Sequence, residues 1–164
     1  MKVLVVLGEG GHTKEMVTLV EMLGDDLEYG YIMVDDDQVS EAKLARDGTC
    51  GRRGPVFRVM RPRDKEHYLV RDAMRTLFSA WQSWSVLRRF RPDVVLTSGP
   101  SVAVPVCVLA RLLGRRVIFV ETASRVTRLS LTGRIMYRVA HLVFVQWPEL
   151  VDRYPRAVYA GRLF

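Results

Sequence analysis

A chain of 164 residues, 49% hydrophobic and 26% charged, has enough apolar side chain to bury a core and enough charge to solvate its surface, which excludes a disordered or low-complexity polypeptide and predicts one domain over 1–164. Its 25 lysines and arginines against 18 acids leave a net charge of +7, which predicts an acidic partner surface: a phosphorylated substrate, anionic lipid headgroups or, on charge alone, nucleic acid. Cys50 and Cys107 are the only cysteines, far apart and without metal-ligand spacing, so neither a disulfide framework nor a cysteine metal site is expected, and a reducing compartment is.

Residues 2–7 are an apolar, β-branched run bounded by glycine, the pattern of a buried central strand. A strand that starts at residue 2 leaves no room for a signal peptide or N-terminal anchor. The longest uncharged run, 94–110, is interrupted by Gly99, Pro100 and Pro105 and is too short to span a bilayer, so a soluble or peripheral chain is expected. Gly8-Glu9-Gly10-Gly11-His12-Thr13 follows the first strand. Met16, Leu19, Val20 and Leu23 then recur at helical spacing, with Thr13 placed to cap the helix and Gly24 to stop it. Such a glycine turn brings bare backbone close to a ligand and aims a helix N-terminus at it, which favours phosphate. His12, at its mouth, has an ordinary pKa near about 6.5 and suits proton exchange with a bound hydroxyl. The alternative is that the glycines serve only the turn and His12 is a polar cap.

Residues 29–34 read as a second strand ending in Asp35, Asp36 and Asp37. An acid there is what a dinucleotide-binding domain uses to hold ribose, but Thr13 stands where that pattern needs a third glycine or alanine. An acidic loop capping a helix from about Gln38 is the better reading. Residues 45–54 read as a loop, 56–60 as a third strand, and Arg61, Arg63 and Lys65 lead into a helix over 66–90. Its apolar positions Val70, Met74, Leu77, Phe78, Trp81 and Trp84 are flanked by Arg71, Arg75, Arg88 and Arg89. Aromatics beside arginines suit a membrane interface, with Trp81 and Trp84 as the contact residues; the alternative places the tryptophans in the core.

Pro92 ends that helix. A fourth strand over 93–97 runs into Ser98-Gly99-Pro100-Ser101, a second small-residue turn that opens a helix to Leu113, stopped by Gly114. Two such turns after parallel strands lie at the carboxyl edge of the sheet, where open α/β folds bind ligands. The fifth strand, 116–120, ends in Glu121, a second candidate base or else a helix cap or ion-pair partner of Arg125, and 122–128 adds hydroxyls and two arginines. A helix over 129–139, a strand over 142–145, a short helix begun by Pro148 and an extended tail over 154–162 complete the chain. Strands alternating with helices throughout predict an α/β doubly wound, mostly parallel sheet.

Gly-Glu-Gly-Gly-His-Thr-Lys-Glu-Met at 8–16, Ser-Gly-Pro-Ser at 98–101, Val-Glu-Thr-Ala-Ser-Arg-Val at 120–126, Leu-Ser-Leu-Thr-Gly-Arg at 129–134, Val-Gln-Trp-Pro-Glu-Leu at 145–150 and Tyr-Pro-Arg-Ala-Val-Tyr-Ala-Gly-Arg-Leu at 154–163 come in one order. Together they resemble the membrane-anchoring, acceptor-binding subunit of the asparagine-linked-glycosylation UDP-GlcNAc transferase, to which bacterial exopolysaccharide transferase subunits are similar. The resemblance implies the N-terminal half of a GT-B glycosyltransferase divided between two chains, active only with a donor-binding partner subunit that resembles the C-terminal half.

It implies inverting transfer of GlcNAc or a related sugar from a UDP-sugar to a polyprenyl-phosphate-linked acceptor, with no cofactor, metal or nucleic acid. His12 is the first choice of base and Glu121 the second. Gly8, Gly10, Gly11, Thr13, Ser98, Gly99, Pro100, Ser101, Ser124 and Arg125 would hold the acceptor's phosphate or sugar. The family's eukaryotic members carry an N-terminal membrane helix; here the helix around Trp81 and Trp84 would replace it at the cytoplasmic face of an anionic membrane, plasma membrane in a prokaryote or endoplasmic reticulum in a eukaryote. A non-catalytic membrane scaffold for a complete transferase is the main alternative, and an NAD-binding domain resting on Gly8, Gly10 and Asp35 a lesser one.

Overall fold

The computed structural model describes residues 1–8, 10–46, 54–62 and 69–163. Glu9, Cys50, Arg63, Lys65, most of the expected 45–54 loop and the start of the expected 66–90 helix lie outside them. The elements are β1 (Lys2–Val6), α1 (Gly11–Leu23), β2 (Glu28–Val34), α2 (Gln38–Arg46), β3 (Val56–Val59), α3 (Leu69–Phe90), β4 (Val94–Thr97), α4 (Ala103–Leu112), β5 (Arg116–Val120), α5 (Leu131–Val139), β6 (Leu142–Val145), α6 (Glu149–Arg153) and β7 (Ala157–Tyr159). The strands form one sheet in the order β3-β2-β1-β4-β5-β6-β7, and every pairing in it is parallel.

Parallel strands need helical crossovers, and crossovers on both faces bury both faces; this is why β1 is a continuous apolar run instead of an alternating one. Leu4 and Val6 point to the face covered by α3, α4 and α5, where Val86, Phe90, Val106, Cys107 and Met136 meet Val95, Val117 and Phe119. Val3, Val5 and Leu7 point to the other face, against Met16, Val17 and Val20 of α1. Cys107 is a small core residue whose thiol burial pushes up to about 12.

Chain order reverses direction across the sheet between β1 and β4, which pair with Val6 opposite Thr97. The loops after these two strands therefore diverge and open a crevice at the carboxyl edge.

Gly24 stops α1 as expected: at φ 76° its N–H reaches the Val20 and Glu21 carbonyls. The N-terminus differs. Gly10, at φ 71°, is the N-cap, with no side-chain cap, and Thr13 is buried in the helix's first turn. α5 begins two residues later than expected because Ser130 takes the N-cap position and its hydroxyl accepts from Gly133 N at 2.9 Å. In α3 the buried Ser79 and Ser83 lie on the helix that packs against α4, while Met74, Leu77, Phe78 and Trp81 are exposed.

Candidate functional site

The glycine turn after β1 and the small-residue turn after β4 meet across the crevice. Gly8 approaches Pro100 so closely that a Cβ on it would lie 2.2 Å from the proline Cβ, so only glycine fits. Thr13 gave up the cap to hold this turn: its hydroxyl bonds the Gly8 carbonyl and lies against the hydroxyl of Ser40, which donates to Asp37 at 2.5 Å. Asp37 also accepts from Ser40 N at 2.9 Å, so it caps α2 and braces the turn. The buried acid after β2 thus has a structural duty, as the capping reading expected.

A cleft of about 270 Å³ opens here, lined by Gly8, His12, Arg61, Gly99, Pro100 and Ser101 among others. Of the expected site residues, Gly8, His12, Gly99, Pro100 and Ser101 are thus brought together, with Ser98 directly behind His12. Gly10 and Gly11 form the start of α1 beside it. Arg61, half-buried, brings a cation to the cleft and is held by Asp36 through Nη2 at 2.9 Å and Nε at 3.2 Å. Ser124 and Arg125 stand exposed on the neighbouring 122–128 segment and do not line the cleft.

His12 is 31% exposed through its side chain. Its Nδ1 is 3.1 Å from Ser98 Oγ, and that hydroxyl donates to the His12 carbonyl at 3.2 Å. A hydroxyl whose proton is already given to a carbonyl can only accept from the ring, so Nδ1 carries the hydrogen and Nε2 keeps its lone pair. Burial lowers the imidazole below its ordinary 6.5, opposed by the charge of Glu15 and by a hydrogen bond to the Ser98 backbone. The ring is therefore neutral and basic at Nε2 near neutral pH.

Glu121 directly follows β5, at the carboxyl edge, and is fully buried. Its Oε2 accepts from Ser130 N at 2.9 Å and Ser130 Oγ at 3.1 Å, and its Oε1 from Thr122 N at 3.1 Å. A Cβ on Gly133 would fall 2.0 Å from Oε2, so α5 closes over the carboxyl. Burial raises it above the ordinary range, against the pull of those donors and, least, of Arg125. This is a clamp on the start of α5, the capping reading in another form.

Two functional candidates escaped the sequence reading. Glu15 is 2% exposed, and its Oε1 accepts from Ala123 N at 2.8 Å, Thr122 Oγ1 at 2.9 Å and Gln146 Nε2 at 3.3 Å. Gln146 also donates to the Glu121 carbonyl at 3.1 Å and accepts from Leu163 N, tying the 122–128 segment to the C-terminal residues. The only signal for Glu15 was its place one helical turn after His12.

The family described as "Oligosaccharide biosynthesis protein Alg14 like" matches residues 3–163. The UDP-N-acetylglucosamine transferase subunit ALG14 of Rattus norvegicus is 35% identical over 98% of this chain and 82% of that protein; its Schizosaccharomyces pombe counterpart is 35% identical over 96% and 81%. Among solved structures, Acinetobacter baumannii MurG is 20% identical with a TM-score of 0.72, covering 90% of this chain and 42% of its own. UDP-GlcNAc 2-epimerase from Neisseria meningitidis, bound to UDP-GlcNAc, is 15% identical with a TM-score of 0.73, covering 99% and 47%. The chain thus spans under half the length of these two structures, and its fold is that of the N-terminal half of a GT-B enzyme. By the extent of the family match and the identity to its curated relatives, the chain belongs to the Alg14 family of oligosaccharide biosynthesis proteins.

Proposed function

We propose that this chain is the acceptor-side subunit of a two-chain inverting transferase that moves GlcNAc from UDP-GlcNAc to a polyprenyl-phosphate-linked acceptor. The observation that carries the reading is His12, held with Nε2 unprotonated in the cleft where the two turns meet. The acceptor hydroxyl oxygen attacks the anomeric carbon from the face opposite the leaving group. The new C–O bond forms, the bond to the diphosphate breaks with its electron pair leaving on UDP, and the hydroxyl proton passes to His12 Nε2. The start of α1 and Arg61 favour the acceptor's phosphate, the first through the positive end of the helix dipole, the second through charge. Glu121 has its carboxyl engaged by Ser130 and Thr122, which leaves His12 as the base.

The donor site belongs to a partner subunit. On the α1 face, an apolar depression of about 370 Å³ between Leu19 and Met22 of α1, Ile118 and Phe144 of the sheet and Leu163 supports this reading as the surface for that partner. The shared fold makes up less than half of the solved structures, which supports a second, donor-binding half outside these residues.

No described helix is long and apolar enough to cross a membrane. The membrane contact is the exposed stripe of α3: Met74, Leu77, Phe78 and Trp81 follow i, i+3, i+4, i+7 spacing, with Trp81 64% exposed and stacked near Phe78 at 5.7 Å. The stripe runs through the middle of α3, and its Met74 end is the one nearer the start of the helix that follows β3. Trp84 is half-buried, with the Arg88 guanidinium over its ring at 5.9 Å.

Co-sedimentation tests the lipid side of this proposal. The chain binds anionic vesicles, more so when they contain polyprenyl phosphate, and binding weakens with salt; Phe78→Ser with Trp81→Ser lowers binding at least about tenfold, since each ring buries apolar area worth more than 1 kcal/mol. Equal binding of wild type and folded variant, or preference for NAD over the lipid phosphate, overturns it.

A further inference from the structure

The Glu15 carboxylate lies on the same face of α1 as His12, one turn further on, with only one of its oxygens engaged. Oε1 takes all three donors, from Thr122, Ala123 and Gln146, and these fix the plane of the group. Oε2 is buried and finds no hydrogen-bond partner among the described residues, yet it stands 3.8 Å from His12 Nδ1. A buried carboxylate oxygen left without a donor costs free energy unless a positive charge arrives beside it. The group it faces is the one that gains a proton.

We propose that Glu15 is a positioning residue for His12, its free Oε2 holding the ring in the Nδ1–H form together with Ser98 and balancing the positive charge that appears when Nε2 takes a proton. This rests on the reading of His12 as the base. In the resting state Nδ1–H is given to Ser98 Oγ at 3.1 Å. When Nε2 is protonated the ring carries a full charge, and a small tilt brings Nδ1–H within bonding distance of Oε2. No covalent bond forms or breaks at Glu15; its part is to face the ring of His12 through Oε2.

The charged groups around His12 are few. Glu15 on its own helix and Arg61 across the cleft are the nearest described ones; Arg61 is held by Asp36, and the 98–101 turn brings only the Ser98 and Ser101 hydroxyls. Removal of the Glu15 charge therefore acts in one direction and lowers the affinity of His12 for a proton.

The test is a nitrogen-15 histidine titration of the whole chain, wild type against Glu15→Gln, which keeps an acceptor for Thr122 and Ala123. The His12 titration moves down by about one pH unit in the variant, the scale expected for loss of one charge at this distance. In the complex with the partner, the acid limb of kcat/KM moves down with it. An unchanged His12 titration in a folded Glu15→Gln chain overturns the proposal, leaving Glu15 as a brace for the 122–128 segment. If that variant does not fold, the wild-type spectrum decides, because a neutral His12 found as the Nε2–H form overturns the proposal equally. Failure of the base reading is separate: it would show as near-normal turnover in a His12 variant, whatever the titration gives.

Discussion

His12→Ala in the assembled transferase lowers turnover at least about a hundredfold while the complex still forms. The residue is placed at the mouth of the cleft and not in the core, so its loss leaves the sheet and α1 packing intact. A base must be unprotonated to act, and burial holds His12 below its ordinary 6.5, so the wild-type rate is sustained at neutral pH and falls only as the medium is acidified past that lowered value. The check is kcat and KM measured from pH 5 to 9 on purified complex, with partner association followed in parallel. Near-normal kcat in His12→Ala removes the catalytic assignment and favours a non-catalytic scaffold.

Glu121→Ala has the opposite signature: it costs stability of about 3 kcal/mol and little chemistry per folded molecule. The substitution strands the Ser130 and Thr122 N–H groups and the Ser130 hydroxyl beneath a closed surface and opens a void against Gly133. Because burial raises the carboxyl in the folded chain above its ordinary 4.5, the protonated group contributes stability that is full below that value and is lost as pH rises through the folded one. Wild-type and variant stabilities therefore differ most on the acid side. Urea unfolding at several pH values measures this; a variant as stable as wild type but without turnover would make Glu121 the base.

The division between what the residues disclosed and what they withheld follows the range of the interactions. The strands were legible because a parallel sheet buried on both faces demands runs such as Val3 to Val6, and Gly24 and Gly114 were legible because stopping a helix is a local act; both have positive φ. The meeting of the two turns was legible from topology alone. Thr13 was misread because its competing partners, the Gly8 carbonyl and Ser40, come from the preceding loop and from α2. Glu121, read as a base or else a cap, carried no local sign of its burial, which depends on where α5 closes over it, although Ser130 was a local cap signal for the start of that helix. Glu15 carried a local sign in its spacing from His12, but its burial depends on Thr122, Ala123 and Gln146, more than a hundred residues away in sequence.

The most direct measurement is transfer of labelled GlcNAc from UDP-GlcNAc to a polyprenyl-phosphate-linked acceptor in vesicles, by this chain alone, by a donor-binding subunit alone, and by the two together. The proposed acceptor cleft with His12 as base, and a donor site on the other subunit, predict transfer by the pair and background from either chain separately. Sustained transfer by this chain alone would contradict the division of the enzyme, and equal transfer by the donor-binding subunit alone would contradict any part for this chain in the chemistry.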